Sequence, residues 1–141
     1  REATPLLRFR SGDYARVVGT DCSCGRTSPK IQCIGRADDM LIFKGMNVFP
    51  SAIRDVISEV EGVAPRLRVI VPRGLVHFED PIPIEIALTP GADRSEADVF
   101  EDVIDVVRSR LKVRVDPTLV ALEDLPPGQY KTKLIEHRDE E

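Results

Sequence analysis

Between residues 82 and 111 the hydrophobic period changes from two to that of a helix, and this switch restricts the fold more than any other feature. Ile82, Ile84, Ile86 and Leu88 alternate with Pro83, Glu85 and Ala87, the pattern of a half-buried strand. Val99, Phe100, Val103, Ile104, Val107 and Leu111 then recur at three- and four-residue steps. They predict a helix over 94–112, capped by Asp93 or Ser95. The same alternation of periods occurs earlier. Met40–Phe43 reads as a short strand and Lys44–Asn47 as its turn. Pro50 suits a first helical position, where its missing N–H costs nothing. Ile53, Val56, Ile57 and Val60 follow at helical spacing, with Gly62 as the stop. Arg66–Val71 alternates again, with Leu67, Val69 and Val71 on one face. Leu119–Leu122 reads as a last strand, Leu125–Gly128 as a turn, and the segment from Lys131 onward as a polar, mobile tail. Pro83 predicts that its strand lies at a sheet edge or starts unpaired.

The order from residue 40 is therefore β-α-β-β-α-β. The expected fold is α+β: a small mixed β-sheet with two helices on one face, preceded by a short β-rich segment. In that segment Tyr14–Val18 and Lys30–Ile34 read as strands, joined by a loop, Gly19–Pro29, rich in turn formers. The polar stretch Gly35–Asp39 is the natural boundary. No internal repeat or low-complexity tract is visible.

Composition narrows the function classes. A chain of 141 residues fits one domain with a short appended piece. At that size roughly 68–70% of the unfolded surface can be buried, so no staples are needed. Lys and Arg total 20 and Asp and Glu 24, a net charge of −4 with no basic block, which argues against nucleic acid as a partner. No apolar run approaches a membrane span, and the first residues lack the apolar region of a signal peptide. Three cysteines, an odd count, fit a reducing compartment, and a cytoplasmic location is expected. The chain begins with Arg1 rather than Met, which predicts further sequence upstream.

Three segments can carry chemistry. In Arg8–Asp13 an Arg-Phe-Arg-Ser-Gly run ends in Asp13. A carboxylate after a Gly turn can accept hydrogen bonds from both hydroxyls of a ribose; the plainer alternative is a strand end with a capped turn. In Gly35–Pro50, Arg36 offers a planar multi-donor group that could reach a phosphate or ribose. Asp38 and Asp39 sit where the chain could change direction, and Lys44-Gly45 lets the backbone approach a ligand. The alternative is a hairpin with charged shoulders. In Leu125–Lys131, a Pro/Gly-rich turn leads to Lys131, which could equally be an exposed tail lysine. Cys22-Ser23-Cys24 can supply two ligands to a zinc ion but does not fill its four positions. Cys33 could be a third ligand, but it reads rather as a small buried residue of a strand. His77 and His137 read as surface residues, and Glu96, Asp98, Glu101, Asp102 and Asp105 as the solvated face of the second helix.

Taken together, RFRSGD and GRADDMLIFKGMNVFPSAI, in this order and at this separation, resemble the ribose-binding and hinge motifs of the adenylate-forming superfamily of acyl- and aryl-CoA ligases. The Asp-Asp-Met-Leu-Ile and Asn-Val-Phe-Pro-Ser runs and the upstream Cys-Ser-Cys-Gly-Arg-Thr narrow the resemblance to the phenylacetate–CoA ligase family. It covers essentially the whole chain, as the C-terminal part of such an enzyme. The resemblance implies activation of an aryl carboxylate by ATP as an acyl-adenylate, with Mg²⁺ accompanying the nucleotide, then transfer to CoA and release of AMP. Residues 1–34 would end the large N-terminal adenylate-binding domain, 35–39 would be the hinge, and 40–141 the mobile C-terminal domain.

Residue by residue, the resemblance implies that Asp13 binds the ribose hydroxyls, Arg36 contacts the same nucleotide, and Asp38 is the pivot. Gly45 would line the pantetheine tunnel. Lys131 would bridge the carboxylate and the α-phosphate, although Tyr130 stands where the family has Gly. Ile42 replaces a Lys found in some relatives, so no role falls to it. Cys22 and Cys24 would be half of a zinc site seen in some relatives. The required partner is the N-terminal adenylate-binding domain, on the same chain or a separate subunit, and the chain alone would be inactive. The rival expectation is a stand-alone α+β ligand-sensing module, whose open sheet face would pair two copies as a homodimer.

Overall fold

A computed structural model of the chain describes residues 10–73, 75, 77–127 and 133–138, with only the backbone of Asp38. The chain divides into two compact units, the first ending at Asp38 and the second beginning at Asp39.

The first unit is a two-stranded antiparallel ribbon, β1 (Asp13–Gly19) and β2 (Lys30–Arg36). Its register runs from Asp13↔Arg36 at one end to Gly19↔Lys30 at the other, with bulges at Tyr14/Ala15 and Val17/Gly19. Apolar side chains stand open to solvent on it, Ile31 at 69% and Val17 at 63% exposure. Cys33 does lie in β2, but it is exposed rather than buried: this ribbon has no core of its own to bury it in. A single tight helical turn, Ala37–Asp39, follows.

The second unit continues as β3 (Leu41–Phe43), β4 (Met46–Val48), α1 (Pro50–Ile57), β5 (Val63–Pro72), β6 (His77–Phe78), β7 (Ile82–Leu88), α2 (Glu96–Leu111), β8 (Val115–Leu119) and β9 (Ile135–Arg138). Four strands form a mixed sheet in the order β8-β7-β5-β9, antiparallel between β5 and β7 and parallel at both outer pairs. A smaller sheet, β4-β3-β6, lies in the same unit. Both helices share one core with the sheet. Ile53 and Ile57 of α1 and Val99, Val103 and Val107 of α2 are fully buried together with Leu67, Val69 and Val71 and with Ile82, Ile84 and Ile86. The α+β reading, with both helices over one sheet face, is the observed architecture. At about 25 cal/mol per Å² of apolar surface, this interdigitated stripe is the main stabilising term.

Several boundaries differ from the sequence expectation. The turn after β3 is only Lys44-Gly45, and Met46 and Asn47 belong to β4. Helix α1 stops at Ile57; Glu59 N–H and Val60 N–H then donate to the Val56 and Ile57 carbonyls, three residues back, and tighten the exit. Val60 still packs against the core from outside the helix. Of the two candidate caps of α2, Asp93 and Ser95, it is Ser95 whose hydroxyl accepts the Asp98 N–H at 3.2 Å.

Strand β7 is not at an edge: it lies between β8 and β5. Pro83 is accommodated because the register with β5 begins only at Ile84. The edge strands are β8 and β9; β8 carries Pro117 and starts at Val115, earlier than expected, and Leu122–Asp124 form a short helical turn instead. The polar tail is also partly strand. Ile135–Arg138 pair in parallel with Val69–Pro72, and Leu134 and Ile135 are buried. His137 thus lies on β9, and His77 on β6, paired to β3. Among the described residues, no helix is long and apolar enough to cross a membrane.

Candidate functional site

The first cluster is made by strand pairing. β1 begins at Asp13 and β2 ends at Arg36, so two residues 23 positions apart in sequence become direct cross-strand partners. Arg36 Nη1 lies 3.9 Å from Asp13 Oδ1, and both side chains are well exposed, at 53% and 38%. The turn before Asp13 is built for close approach. Gly12 sits at φ +77°, a conformation that disfavours a side chain, and its carbonyl accepts the Ala37 N–H at 2.7 Å. Ser11 Oγ accepts the Asp13 N–H at 3.4 Å. The result is an accessible carboxylate beside an accessible guanidinium on a rigid ribbon end. That is an arrangement able to accept from vicinal hydroxyls and donate to a phosphate or ring acceptor.

Asp38 lies in the tight turn where the first unit ends. A few residues on, Lys44 (φ 47°) and Gly45 (φ 82°) are both left-handed and form the two-residue tip of the β3–β4 hairpin. A Cβ at Gly45 would meet nothing within 4 Å, so the tip is open space. Lys44 also lines an open groove shared with Phe43, Val60, Arg94 and Arg108.

Lys131 lies outside the described residues, but both flanks of its segment are held by β5. Arg68 Nη2 donates to the Asp124 carbonyl, and Arg66 Nη1 to the Leu122 carbonyl at 3.1 Å. Leu125 is buried against Ala64 and Ala87. On the far side, Val69 N–H donates to the Leu134 carbonyl at 2.7 Å.

A charged ring that the sequence reading did not single out occupies the sheet face away from the helices. Glu85 is 7% exposed, the one buried charged residue among the described residues. It accepts from Arg68 Nη1 at 2.9 Å and from Arg138 Nη1 at 2.7 Å. Glu136 closes the ring, accepting from Arg138 Nε at 2.7 Å and pairing as an ion with Arg68 Nε at 3.2 Å. The hydrogen bond from Arg138, reinforced by the charges of Arg68 and Arg138, holds the Glu136 carboxyl below its ordinary value. The available signal was a Glu between two isoleucines in β7 opposite an Arg between Leu and Val in β5. The partner on β9 was hidden because that strand is too short to show a period.

Cys22 and Cys24 form a third feature. The Gly25 N–H donates to the Cys22 carbonyl at 3.0 Å and closes a turn that brings the two Sγ atoms to 2.8 Å. Hydrogen bonding to Cys22, and secondly to the Arg26 backbone, holds the Cys24 thiol below its ordinary value. As zinc ligands they are only two of four, and no group of three or more His, Cys, Asp or Glu among the described residues could hold a metal ion. Within the described residues they would therefore be at most half of a four-ligand site. The acidic residues of α2 are exposed, as expected for a solvated face.

Known proteins agree with this architecture. The curated phenylacetate–coenzyme A ligase of Thermus thermophilus is 30% identical over 141 residues, spanning 92% of this chain and 31% of the relative. That of Escherichia coli is 37% identical over 73 residues, 52% of this chain and 16% of the relative. The chain thus spans less than a third of the length of these relatives. Among solved structures, a 2-hydroxyisobutyryl-CoA ligase in the postadenylation state superposes with a TM-score of 0.79 at 24% identity, covering 95% of this chain and 29% of that one. A domain of a phenylacetate–coenzyme A ligase from Bacteroides vulgatus superposes with a TM-score of 0.55 at 17% identity, covering 73% of this chain and 95% of that one. At such identities the structural likeness establishes the fold. The family model described as the AMP-binding enzyme C-terminal domain matches residues 45–138, and the chain belongs to that family.

Proposed function

We propose that the chain is the C-terminal part of an ATP-dependent aryl-CoA ligase of the phenylacetate type. The observation that carries this reading is the sequence likeness to a phenylacetate–coenzyme A ligase through nearly the whole chain. In the first half-reaction a carboxylate attacks the α-phosphate of ATP and pyrophosphate leaves. In the second, the CoA thiol attacks the acyl-adenylate carbonyl and AMP leaves. Mg²⁺ accompanies ATP, and no residue of this chain is assigned to hold it.

In this reading Asp13 accepts from the ribose hydroxyls and Arg36 contacts the same nucleotide. Their exposed juxtaposition on the ribbon supports that division. Lys131 supplies positive charge where the carboxylate and α-phosphate, both anionic, must meet. Asp38 is the pivot about which residues 40–141 turn between the half-reactions, bringing Lys131 in for adenylation and the open Gly45 tip in for CoA. Residues 1–34 are the end of the adenylate-binding domain. The exposed Val17 and Ile31 support a covering partner for the ribbon, and the rest of that domain is the proposed one, on this polypeptide or another.

The test is turnover of phenylacetate, ATP and CoA by the complete ligase and by this chain alone. Activity with the complete enzyme only is expected, and unaided turnover by the chain would overturn the reading. Light scattering on the chain separates the remaining alternative: a stable homodimer that binds neither AMP nor CoA would favour a stand-alone module.

A further inference from the structure

Lys131 belongs to a stretch of chain whose two ends are joined by one guanidinium. Arg68 Nη2 donates to the Asp124 carbonyl, at the end of the short helical turn Leu122–Asp124. Arg68 Nε pairs with the Glu136 carboxylate at 3.2 Å, on β9. The remaining nitrogen holds the group itself in place: Nη1 donates to Glu85 at 2.9 Å, and Glu85, buried in β7, also accepts from Arg138 Nη1 at 2.7 Å. A guanidinium is planar and its donors point in fixed directions, so anchoring it on Glu85 sets the separation of Asp124 from Glu136. Strand β9 is a four-residue edge strand, and its own ladder with β5 is short. Covalent geometry keeps the Cα of Lys131 within about 7 Å of that of Lys133, so whatever fixes the ends of the stretch limits where the Lys131 charge can stand.

We propose that Arg68 is a positioning residue of the adenylation half-reaction, which directs the Lys131 ammonium by tying together the two ends of its stretch of chain. The inference rests on the role proposed above for Lys131. Arg68 acts without touching nucleotide or acid. A chain held at both ends at a fixed separation has fewer arrangements than one released at either end. A charge misplaced by about 1 Å can lose about a hundredfold in rate. Because Lys131 is assigned to adenylation, the effect of Arg68 falls on that step and not on thioester formation. A lysine in its place keeps a cation beside Glu85. Its compact ammonium does not present donors to the Asp124 carbonyl, Glu85 and Glu136 at once.

The test is a cycle of Arg68→Ala, Lys131→Ala and the double variant in the complete ligase, with pyrophosphate exchange and thioester formation from supplied acyl-adenylate measured for each. Arg68→Ala should lower the kcat of exchange by about ten- to a hundredfold. The KM for ATP should change by less than about twofold, and thioester formation should be spared. In the Lys131→Ala background the same substitution should cost less than about threefold, because the group it positions is already gone. Arg68→Lys, which retains the buried charge pair, should fold as the parent does and still slow exchange severalfold. Equal loss of both half-reactions, full additivity with Lys131→Ala, or exchange at the parent rate in Arg68→Lys would each overturn the proposal while leaving the ligase reading in place. Normal exchange in Lys131→Ala would instead overturn the role of that lysine, and the proposal with it.

Discussion

Asp13 and Arg36 are direct cross-strand partners at one end of the β1–β2 ribbon, with a carboxylate oxygen and a guanidinium nitrogen 3.9 Å apart and both open to solvent. An ion pair so exposed adds only about 0–1 kcal/mol to stability. Its substitution should therefore leave the fold intact and report on ligand binding. In the complete ligase, Asp13→Asn should weaken nucleotide binding and slow adenylation by about ten- to a hundredfold, the worth of a lost hydrogen bond to a charged group. Arg36→Ala should act in the same direction. ATP-dependent pyrophosphate exchange measures both, and unchanged rates in both variants would remove the ribose assignment.

Lys131 and Asp38 should separate the half-reactions. Lys131→Ala in the complete ligase should reduce adenylation by about a hundred- to a thousandfold, as for other donors that stabilise developing negative charge. It should spare thioester formation from supplied acyl-adenylate. Asp38→Pro should instead impair thioester formation, by fixing φ where the chain must turn. Equal loss of both steps in both variants would contradict this division of labour.

Gly45 tests the hairpin tip. Its φ of 82° is left-handed, and a side chain there has open space but an unfavourable backbone. Gly45→Val should cost about 1–2 kcal/mol of stability, read from the urea midpoint of this chain. In the complete ligase the larger effect is expected on the CoA-dependent step, and a defect confined to adenylation would argue against a tunnel role.

Glu85 and Glu136 give opposite size classes of the same test. Glu85→Ala would take from Arg68 and Arg138 their shared carboxylate while Glu136 still pairs with both, at a cost of about 1–3 kcal/mol. Glu85→Gln, which keeps an acceptor, should lose less. Glu136 is largely solvated, so its removal should cost little. Because Arg138 and Arg68 lower its folded value, its contribution is present above the ordinary carboxylate range and is lost as pH falls through that lowered value. Urea midpoints measured across acid pH should fall less steeply for Glu136→Gln than for the parent. Identical slopes would show that the ring does not couple to protonation.

Both helices and the two long strands were legible because they bury a full period. Val99, Val103 and Val107 mark a helix, and Leu67, Val69 and Val71 a strand, without outside help. The errors fall where an element is too short to show a period or where its place depends on a neighbour. Strand β4 has three residues and β9 four, with polar positions within both. Pro83 left open an edge strand or an unpaired start: its strand is interior, but Pro83 has no partner on β5, and a missing N–H matters only where a partner would have accepted from it.

By itself the sequence determined the α+β class, the stripe of each helix, the choice of Asp93 or Ser95 as a cap and the motifs that carry the family resemblance. These are local properties: each depends on residue types at fixed spacing along one segment. Tertiary structure decided which residues meet. It joined Asp13 to Arg36, closed Glu85 and Glu136 into a ring with Arg68 and Arg138, recruited the polar segment Ile135–Arg138 as a strand, and set Cys22 against Cys24. Strand register and turn closure are pairings between segments, and their energy appears only when both partners are present.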